Sequence, residues 1–251
     1  MQRFADKIVA VTGAALGNGR ASAKRFAEEG AKVALLDPDE AGLAEVHRDI
    51  AAAGGRSLPF TVDLTQEAAV VETFVNVRSA FGRVEILLNS YGKSAREDAV
   101  EFFESSSETW ETVIRASLFP ALYCSRQIAG DMRAAKRGSI VNISSDVVYC
   151  GDKKFAEYAA AKSGLHGFTR SLAREMAPFG VTVNAIAAGA IRSIAHTLLP
   201  AEVMDEIKAS IPMGRVGEPE EVASLVGFLS SDEARYLTGQ VIPLNGGRWM
   251  G

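Results

Sequence analysis

Short apolar runs alternate with helix-forming stretches from one end of the chain to the other. Seven of the runs are predicted β-strands, because they are rich in aliphatic side chains and bounded by turn or helix signals. They are KIVAVTG (7–13), KVALLD (32–37), SLPFTVD (57–63), VEILLNS (84–90), GSIVNISS (138–145), TVNAIAA (182–188) and GQVIPLNGG (239–247). Their apolar positions are continuous rather than alternating, which is typical of parallel strands buried on both faces.

Helical stretches separate the strands. Segments 18–29, 39–54 and 66–81 each end at or beside a glycine, and a long helical region lies within 106–135. Repetition of strand and helix predicts right-handed βαβ units, and therefore an α/β fold: a doubly wound sheet of about seven mainly parallel strands with helices on both faces. No linker, repeat or low-complexity segment divides the chain, so residues 1–251 are predicted to form a single domain.

Composition places the chain among globular proteins. Of its 251 residues, 47% are hydrophobic and 23% are charged, which allows a substantial core. A net charge of −4 gives no general electrostatic reason to bind nucleic acid or an anionic membrane. No apolar run reaches the roughly 18–20 residues of a membrane helix, and the N-terminus resembles no signal peptide. We therefore expect a cytoplasmic protein without nucleic-acid or membrane partners.

The cysteines and histidines indicate neither a disulfide framework nor a metal site. Cys124 and Cys150 make no disulfide framework and fit a reducing compartment. The three histidines, His47, His166 and His196, lack the spacing of metal ligands, so no metal site is predicted.

A glycine-bearing turn follows the first strand. The sequence TGAALGNGR places glycines at 13, 17 and 19, directly before a predicted helix. Such a turn lets backbone N–H groups approach a pyrophosphate, which the positive end of the helix also favours. A tight structural turn would use the same glycines. Asp37 favours dinucleotide binding, because a carboxylate at the end of the second strand can accept hydrogen bonds from a ribose diol.

Asp37 also bears on the choice of dinucleotide. Its charge would repel a 2′-phosphate, and neither Leu16 nor Pro38 supplies a compensating base. Arg20, at the start of the helix, is explained by phosphate binding or by simple solvation. The sequence therefore predicts NAD rather than NADP.

A tyrosine and a lysine lie four residues apart in FAEYAAAKSGL (155–165). Tyr158 and Lys162 are neighbours on one helix face if this segment is helical. A phenol normally has a pKa near ~10, and a nearby ammonium lowers it by favouring the phenolate. The pair is either a tuned acid/base or ordinary surface decoration.

Together these motifs resemble the short-chain dehydrogenases/reductases of about 250 residues, a family with the Rossmann fold. The glycines follow that family's Gly-x-x-x-Gly-x-Gly spacing, and the resemblance covers essentially the whole chain. Further matching segments are VDLT (62–65), GSIVNISS, EYAAAKSGL, VTVNAIAAGAI (181–191) and the C-terminal run 214–247.

The resemblance implies roles for individual residues. Tyr158 would exchange a proton with the substrate, Lys162 would lower the phenol pKa and hold the nicotinamide ribose, and Ser145 would hydrogen-bond the substrate oxygen. Asp63 would face the adenine. The implied cofactor-binding residues are Gly13, Leu16, Gly17, Asn18, Gly19, Asp37, Asp63, Leu64, Asn89, Tyr91, Gly92, Tyr158, Lys162, Gly189, Ile191 and Ser193.

The chain departs from the family pattern at several positions. Ser117 stands where the family's fourth catalytic residue, an asparagine, holds a water leading to the lysine; we expect the serine to support such a relay, and Ser117→Asn to retain or raise turnover. Pro120 should disturb the helix nearby. Tyr91 replaces a small alanine, and it either walls the nicotinamide pocket or turns outward. Ser193 replaces a threonine that contacts the carboxamide.

The sequence thus predicts an oxidoreductase that transfers a hydride between NAD(H) and a secondary alcohol or ketone. Two alternatives remain: an NADPH-dependent 3-oxoacyl-type reductase, and a cofactor-binding relative with little catalysis. A small substrate lid is expected at about 191–210, and Asp152 is expected to be solvated. The family resemblance also implies a homotetramer, in which Trp249 and Met250 either pack across an interface or form a frayed tail.

Overall fold

The computed structural model describes residues 2–94, 99–193 and 199–251. At its centre is one seven-stranded sheet in the order β3-β2-β1-β4-β5-β6-β7, with every neighbouring pair parallel. This confirms the predicted α/β, doubly wound fold class. The strands are β1 (Ile8–Thr12), β2 (Lys32–Asp37), β3 (Arg56–Thr61), β4 (Ile86–Asn89), β5 (Gly138–Ser145), β6 (Val181–Ala188) and β7 (Val241–Leu244).

Helices cover both faces of the sheet, and this explains the unbroken apolar strands. Along β1, Val9 and Val11 pack in one apolar cluster, whereas Ala10 packs in the cluster on the opposite face. The helices are α1 (Gly17–Glu28), α2 (Glu40–Ala52), α3 (Glu67–Phe81), α4 (Ser107–Ser117), α5 (Phe119–Ala135), α6 (Val147–Cys150), α7 (Ala156–Met176), α8 (Ala201–Ala209) and α9 (Pro219–Ser230). Within the described ranges, no helix is long and apolar enough to cross a membrane.

The strand order places a crevice beside β1. The chain moves from β1 outward through β2 to β3, and then returns to the other side of β1 at β4. Ligands of open parallel sheets bind outside the carboxyl ends of the strands at such a reversal. The glycine turn after β1 and Asp37 at the end of β2 both lie at this edge.

Several boundaries differ from the sequence prediction. The helical region within 106–135 is two helices, because α4 ends at Ser117 and Pro120 lies in the first turn of α5. The C-terminal helix α9 has no counterpart among the predicted elements. Of the lid expected at about 191–210, the structure describes α8, whereas residues 194–198 lie outside the described ranges.

Candidate active site

The glycine turn after β1 presents backbone rather than side chains to the crevice. Gly13 has φ of +67°, and a Cβ there would lie 2.9 Å from the backbone nitrogen of Tyr91. A Cβ on Gly19 would lie 1.9 Å from the carbonyl oxygen of Gly13, so no larger residue fits. Gly17, with φ of +51°, has open space where a side chain would be. This turn therefore permits the close approach of a ligand that the spacing predicted.

The start of α1 suits an anion. Leu16 is the N-cap residue, with an extended backbone and no side-chain capping hydrogen bond. The amides of a first helical turn have no intrahelical acceptor, and here they belong to Gly17, Asn18 and Gly19. The positive end of the helix dipole reinforces their preference for a phosphate.

Asp37 is held in place by backbone amides. Its carboxylate accepts a hydrogen bond from the N–H of Ala15 at 3.2 Å and another from the N–H of Asp39 at 3.0 Å. Burial raises the pKa of Asp37, and these two amides oppose that rise. Arg20 is engaged elsewhere, because its guanidinium donates to Glu45 at 2.7 Å and to Asp49 at 2.9 Å on α2.

Two predicted cofactor residues turn their side chains into the protein. Leu64 is fully buried in the apolar core. Asn89 is buried at the end of β4, where its side-chain amide donates to Asn142 at 2.8 Å and to Ser125 at 3.2 Å. Neither side chain is therefore free to contact a ligand in the crevice. Asp63 is exposed, and its carboxylate accepts from the N–H and the hydroxyl of Thr65.

A cavity of about 510 Å³ lies at the carboxyl ends of β5 and β6. It brings together predicted residues from five separate parts of the chain. Those that line it are Asn18, Gly92, Ser145, Tyr158, Lys162, Gly189, Ile191 and Ser193.

Lys162 is buried at the wall of this cavity. Its Nζ donates to the carbonyl oxygen of Ile143 at 2.9 Å and lies 5.7 Å from the centre of the Tyr158 ring. Burial lowers the pKa of Lys162 from 10.5 to about 8. Lys162 is therefore not an exposed surface residue.

Ser144 and Ser145 point in different directions at the end of β5. Ser144 is buried; its hydroxyl donates to the carbonyl oxygen of Lys162 at 3.2 Å and lies 2.9 Å from His166 Nε2. Ser145 is half-buried, and its hydroxyl accepts from the N–H of Val147 at 3.2 Å. Both serines line the cavity with Tyr158, but the Ser144 hydroxyl is engaged with α7, whereas Ser145 is the less buried of the two.

Comparison with known proteins decides the family. Residues 13–248 match a family model described as enoyl-(acyl carrier protein) reductase. The chain is 38% identical to the 3-oxoacyl-[acyl-carrier-protein] reductase FabG of Escherichia coli K12, over 98% of this chain and 99% of that protein. The chain belongs to the short-chain dehydrogenase/reductase family. It is therefore an oxidoreductase.

Other members of the family extend the range of similar proteins. The 2,3-dihydroxy-2,3-dihydro-p-cumate dehydrogenase of Pseudomonas putida F1 is 39% identical over 97% of this chain and 95% of that protein. A solved 3-oxoacyl-[acyl-carrier protein] reductase from Brucella melitensis superposes with a TM-score of 0.94 at 31% identity, covering 100% of this chain and 94% of the other. Levodione reductase gives a TM-score of 0.93 at 30% identity, covering 98% of each chain.

Ser117 is bonded to the backbone of the segment after β4. Its hydroxyl donates to the carbonyl oxygen of Lys93 at 2.6 Å and accepts from the N–H of the same residue at 3.1 Å. Ser117 therefore clasps the backbone of one residue, Lys93. Ser117 also lies near Lys162, with Gly92 beside both. A Cβ placed on Gly92 would be 3.4 Å from Ser117 Oγ and 3.2 Å from Lys162 Nζ.

Tyr91 packs against the apolar core rather than lining the cavity. In the segment after β4, Ser90, Gly92 and Ser94 line the 510 Å³ cavity, whereas Tyr91 is absent from its described lining. Its ring is half-buried and contacts the apolar core.

Sequence reasoning missed an ionic cluster at the cavity. Arg248, from the C-terminal segment, lines the cavity and donates to both Asp152 and Asp146. Asp152 was expected to be solvated, but it is paired with Arg248. Trp249 stacks on Tyr149 with ring centres 4.0 Å apart. Only tertiary folding joins these residues, so no local sequence signal could have found the cluster.

The residues present fit a nicotinamide dinucleotide, the cofactor of this family. The glycine turn can adopt its tight path only without side chains, because a Cβ at Gly13 or Gly19 would overlap neighbouring backbone, and Gly17 has open space beside it. Asp37 ends β2 at the place where a ribose diol is bound in this fold. Lys162 and Tyr158 lie at the far end, in a cavity large enough for a small substrate.

Proposed function

We propose that this protein is an NAD-dependent dehydrogenase/reductase that interconverts a secondary alcohol and the corresponding ketone. The observation that carries the proposal is the buried Lys162, held by the Ile143 carbonyl beside the Tyr158 ring, in a cavity that Ser145 also lines. When bound, the cofactor supplies or accepts the hydride.

The chain's own residues manage the proton. In the direction of oxidation, the Tyr158 phenolate takes the hydroxyl proton of the alcohol, and in reduction the phenol returns a proton to the carbonyl oxygen. The ammonium of Lys162 stabilises the phenolate, since an opposite charge favours the ionised form. One of its three N–H donors is used on Ile143, which fixes the side chain. Ser145 donates a hydrogen bond to the substrate oxygen and orients it.

The charges at the end of β2 support NAD over NADP. Asp37 would repel a 2′-phosphate, and Arg20 is already paired with two carboxylates of α2. Lys93 is the cation whose field reaches Asp37 and Asp63, but one ammonium facing two carboxylates leaves this end of the site negative.

A spectrophotometric assay tests the proposal. We expect the purified protein to oxidise members of a panel of secondary alcohols with NAD⁺, and to reduce the matching ketones with NADH. Tyr158→Phe should lower kcat by about 10²- to 10⁴-fold, the usual contribution of a positioned acid/base, with NAD⁺ affinity preserved. Tyr236→Phe is the matched control, because Tyr236 is fully exposed. If wild type binds NAD⁺ but is as inert as Tyr158→Phe across the panel, the chain is a cofactor-binding relative with little catalysis.

The second candidate is an NADPH-dependent 3-oxoacyl-type reductase. It is supported by the relatives of that name, which are 38% identical over nearly the whole chain. Asp37→Ser separates the two, with Asp39→Ser as control because serine preserves the helix cap that Asp39 provides. Under our proposal, wild type prefers NADH, and Asp37→Ser shifts the kcat/KM ratio toward NADPH by about tenfold or more while Asp39→Ser does not. A wild-type preference for NADPH would favour the second candidate.

Family membership also supports further expectations for this protein. We infer a cytoplasmic homotetramer that pairs its long helices between subunits. We also infer that α8, whose Ile207 lines the cavity beside Ser210, is part of a substrate lid. Light scattering coupled to size-exclusion chromatography checks the subunit number.

A further inference from the structure

The segment after β4 presents alternate residues to opposite sides. Ser90, Gly92 and Ser94 line the reaction cavity. Tyr91 and Lys93 are absent from the described lining of that cavity, and the Tyr91 ring packs against the apolar core. The field of Lys93 reaches Asp37 and Asp63, which is consistent with that placement.

The backbone of Tyr91 is fixed against the glycine turn. Its N–H donates to the hydroxyl of Thr12 at 3.2 Å, and the neighbouring N–H of Ser90 donates to the same oxygen at 3.0 Å. The Tyr91 backbone also lies so close to Gly13 that a Cβ there would clash with it. These contacts fix the Cα of Tyr91, from which its side chain extends, next to the turn that would hold a pyrophosphate.

The ring of Tyr91 extends from this turn toward the carboxyl ends of β2 and β3. It is half-buried and packs against the apolar cluster that contains Leu36 and Leu64. Burial raises the pKa of its phenol, and the charges of Asp63 and Asp37 add to the rise, so both carboxylates lie within electrostatic reach. Asp37 marks the ribose position of this fold.

We propose that Tyr91 is a stacking platform for the adenine ring of the dinucleotide. The alanine that the family pattern has at this position offers one methyl group, whereas Tyr91 offers a rigid aromatic face beside the ribose-binding carboxylate. Adenine is planar and stacks on aromatic side chains. Tyr91 thus adds affinity at the adenosine end, remote from Tyr158 and Lys162. This inference rests on the dinucleotide-dependent function proposed above.

Binding measurements with the two halves of the cofactor test the proposal without any turnover. ADP-ribose carries the adenosine and lacks the nicotinamide, whereas nicotinamide mononucleotide carries only the other half. We expect Tyr91→Leu, which keeps apolar packing but removes the aromatic face, to weaken ADP-ribose binding by about 5- to 150-fold in titration calorimetry. The Kd of nicotinamide mononucleotide should not change. Tyr91→Phe should bind ADP-ribose like wild type, because the ring is retained.

Tyr123→Leu is the matched control, since Tyr123 is another tyrosine packed against the same apolar cluster. It should leave both dissociation constants unchanged. Tighter ADP-ribose binding by Tyr91→Leu would overturn the proposal and show that the ring obstructs the adenine instead. If wild type itself binds no ADP-ribose, the dinucleotide function fails as well; if wild type binds and the Tyr91 variants match it, only the stacking role fails.

Discussion

Lys162 and His166 lie one turn apart on α7, and burial lowers the pKa of both. The pKa of Lys162 is lowered to about 8, so its ammonium persists at neutral pH and can stabilise a phenolate. The pKa of His166 is lowered to about 4, because the charges of Arg170 and Lys162 reinforce the effect of burial. Its imidazole is therefore neutral. It pairs with the Ser144 hydroxyl and lies beside the Tyr149 ring. The lysine is suited to the reaction, and the histidine to holding β5 against α7.

His166 makes the stability of the protein depend on pH. In the unfolded chain it binds a proton below about pH 6.5, whereas in the folded state it does so only near 4. Its contribution is therefore complete above pH 6.5 and is lost as the pH falls toward 4. We expect His166→Gln to reduce the difference in unfolding free energy between pH 7 and pH 5 by about 1–2 kcal/mol, measured by urea denaturation. His47→Gln, which also loses a contact with a serine, should leave that difference unchanged.

Local chemistry explains which site residues the sequence could predict. Tyr158 and Lys162 could be predicted because four-residue spacing places two side chains on one helix face. Asp37 could be predicted because it ends a strand next to the glycine turn. Tyr91 could not be placed, because it lies in an irregular segment where the side that a residue faces depends on contacts with Thr12. Arg248 and Asp146, 102 positions apart, had no local signal at all.

Among the elements, the break between α4 and α5 sets the position of Ser117. The break occurs at Leu118, just before Pro120, whose missing N–H cannot extend α4. Ser117 in the last turn of α4 then reaches the Lys93 peptide with both a donor and an acceptor. Any water relay through this hydroxyl would have to use its remaining lone pair.

Ser117→Ala tests whether this clasp is a structural link. It should lower the free energy of unfolding by about 1–2 kcal/mol, because two hydrogen bonds to the Lys93 backbone are lost, and it should lower kcat as well. Ser117→Asn should retain turnover, since an amide also carries a donor and an acceptor. Ser125→Ala, at another buried serine on α5, is the control for stability and should leave kcat intact. Loss of kcat in Ser117→Ala at unchanged stability would contradict the clasp and favour a relay.

The strands could be predicted better than the helix ends. Burial of the central strands on both faces leaves long apolar runs, and each of the seven predicted runs overlaps a strand of the sheet, including the mostly exposed edge strand β3. Helix boundaries depend on single residues and on tertiary contacts. For that reason the split at Leu118 and the capping box that begins α9 at Glu218 were not predicted.

At the scale of the whole molecule, the C-terminal segment closes one side of the reaction cavity. Arg248 joins Asp146, the neighbour of Ser145, to Asp152 in the loop before α7. Trp249 stacks on Tyr149 of α6. The last residues of the chain thereby hold the segment that directly follows Ser145, across more than ninety positions of sequence.

The ion pair between Asp146 and Arg248 allows the contribution of this C-terminal segment to stability to be measured. Burial raises the pKa of its carboxyl, and the Arg248 guanidinium opposes that rise. Arg248→Met would leave Asp146 buried without this partner, and removing one partner of a buried pair is strongly destabilising. We expect a loss of about 2 kcal/mol of unfolding free energy and a raised KM for the substrate, with NAD⁺ affinity unchanged.

Arg215→Met provides the comparison that isolates the effect of position. Arg215 pairs with Glu221 at 2.7 Å, but both side chains are largely exposed, and such pairs contribute about 0–1 kcal/mol.

Arg248→Met combined with Asp146→Asn should be less destabilised than the sum of the two single variants, because the double variant no longer contains an unpaired buried charge. Additive losses, or a KM unchanged in Arg248→Met, would mean that the C-terminal segment packs beside the cavity without positioning the Ser145 loop.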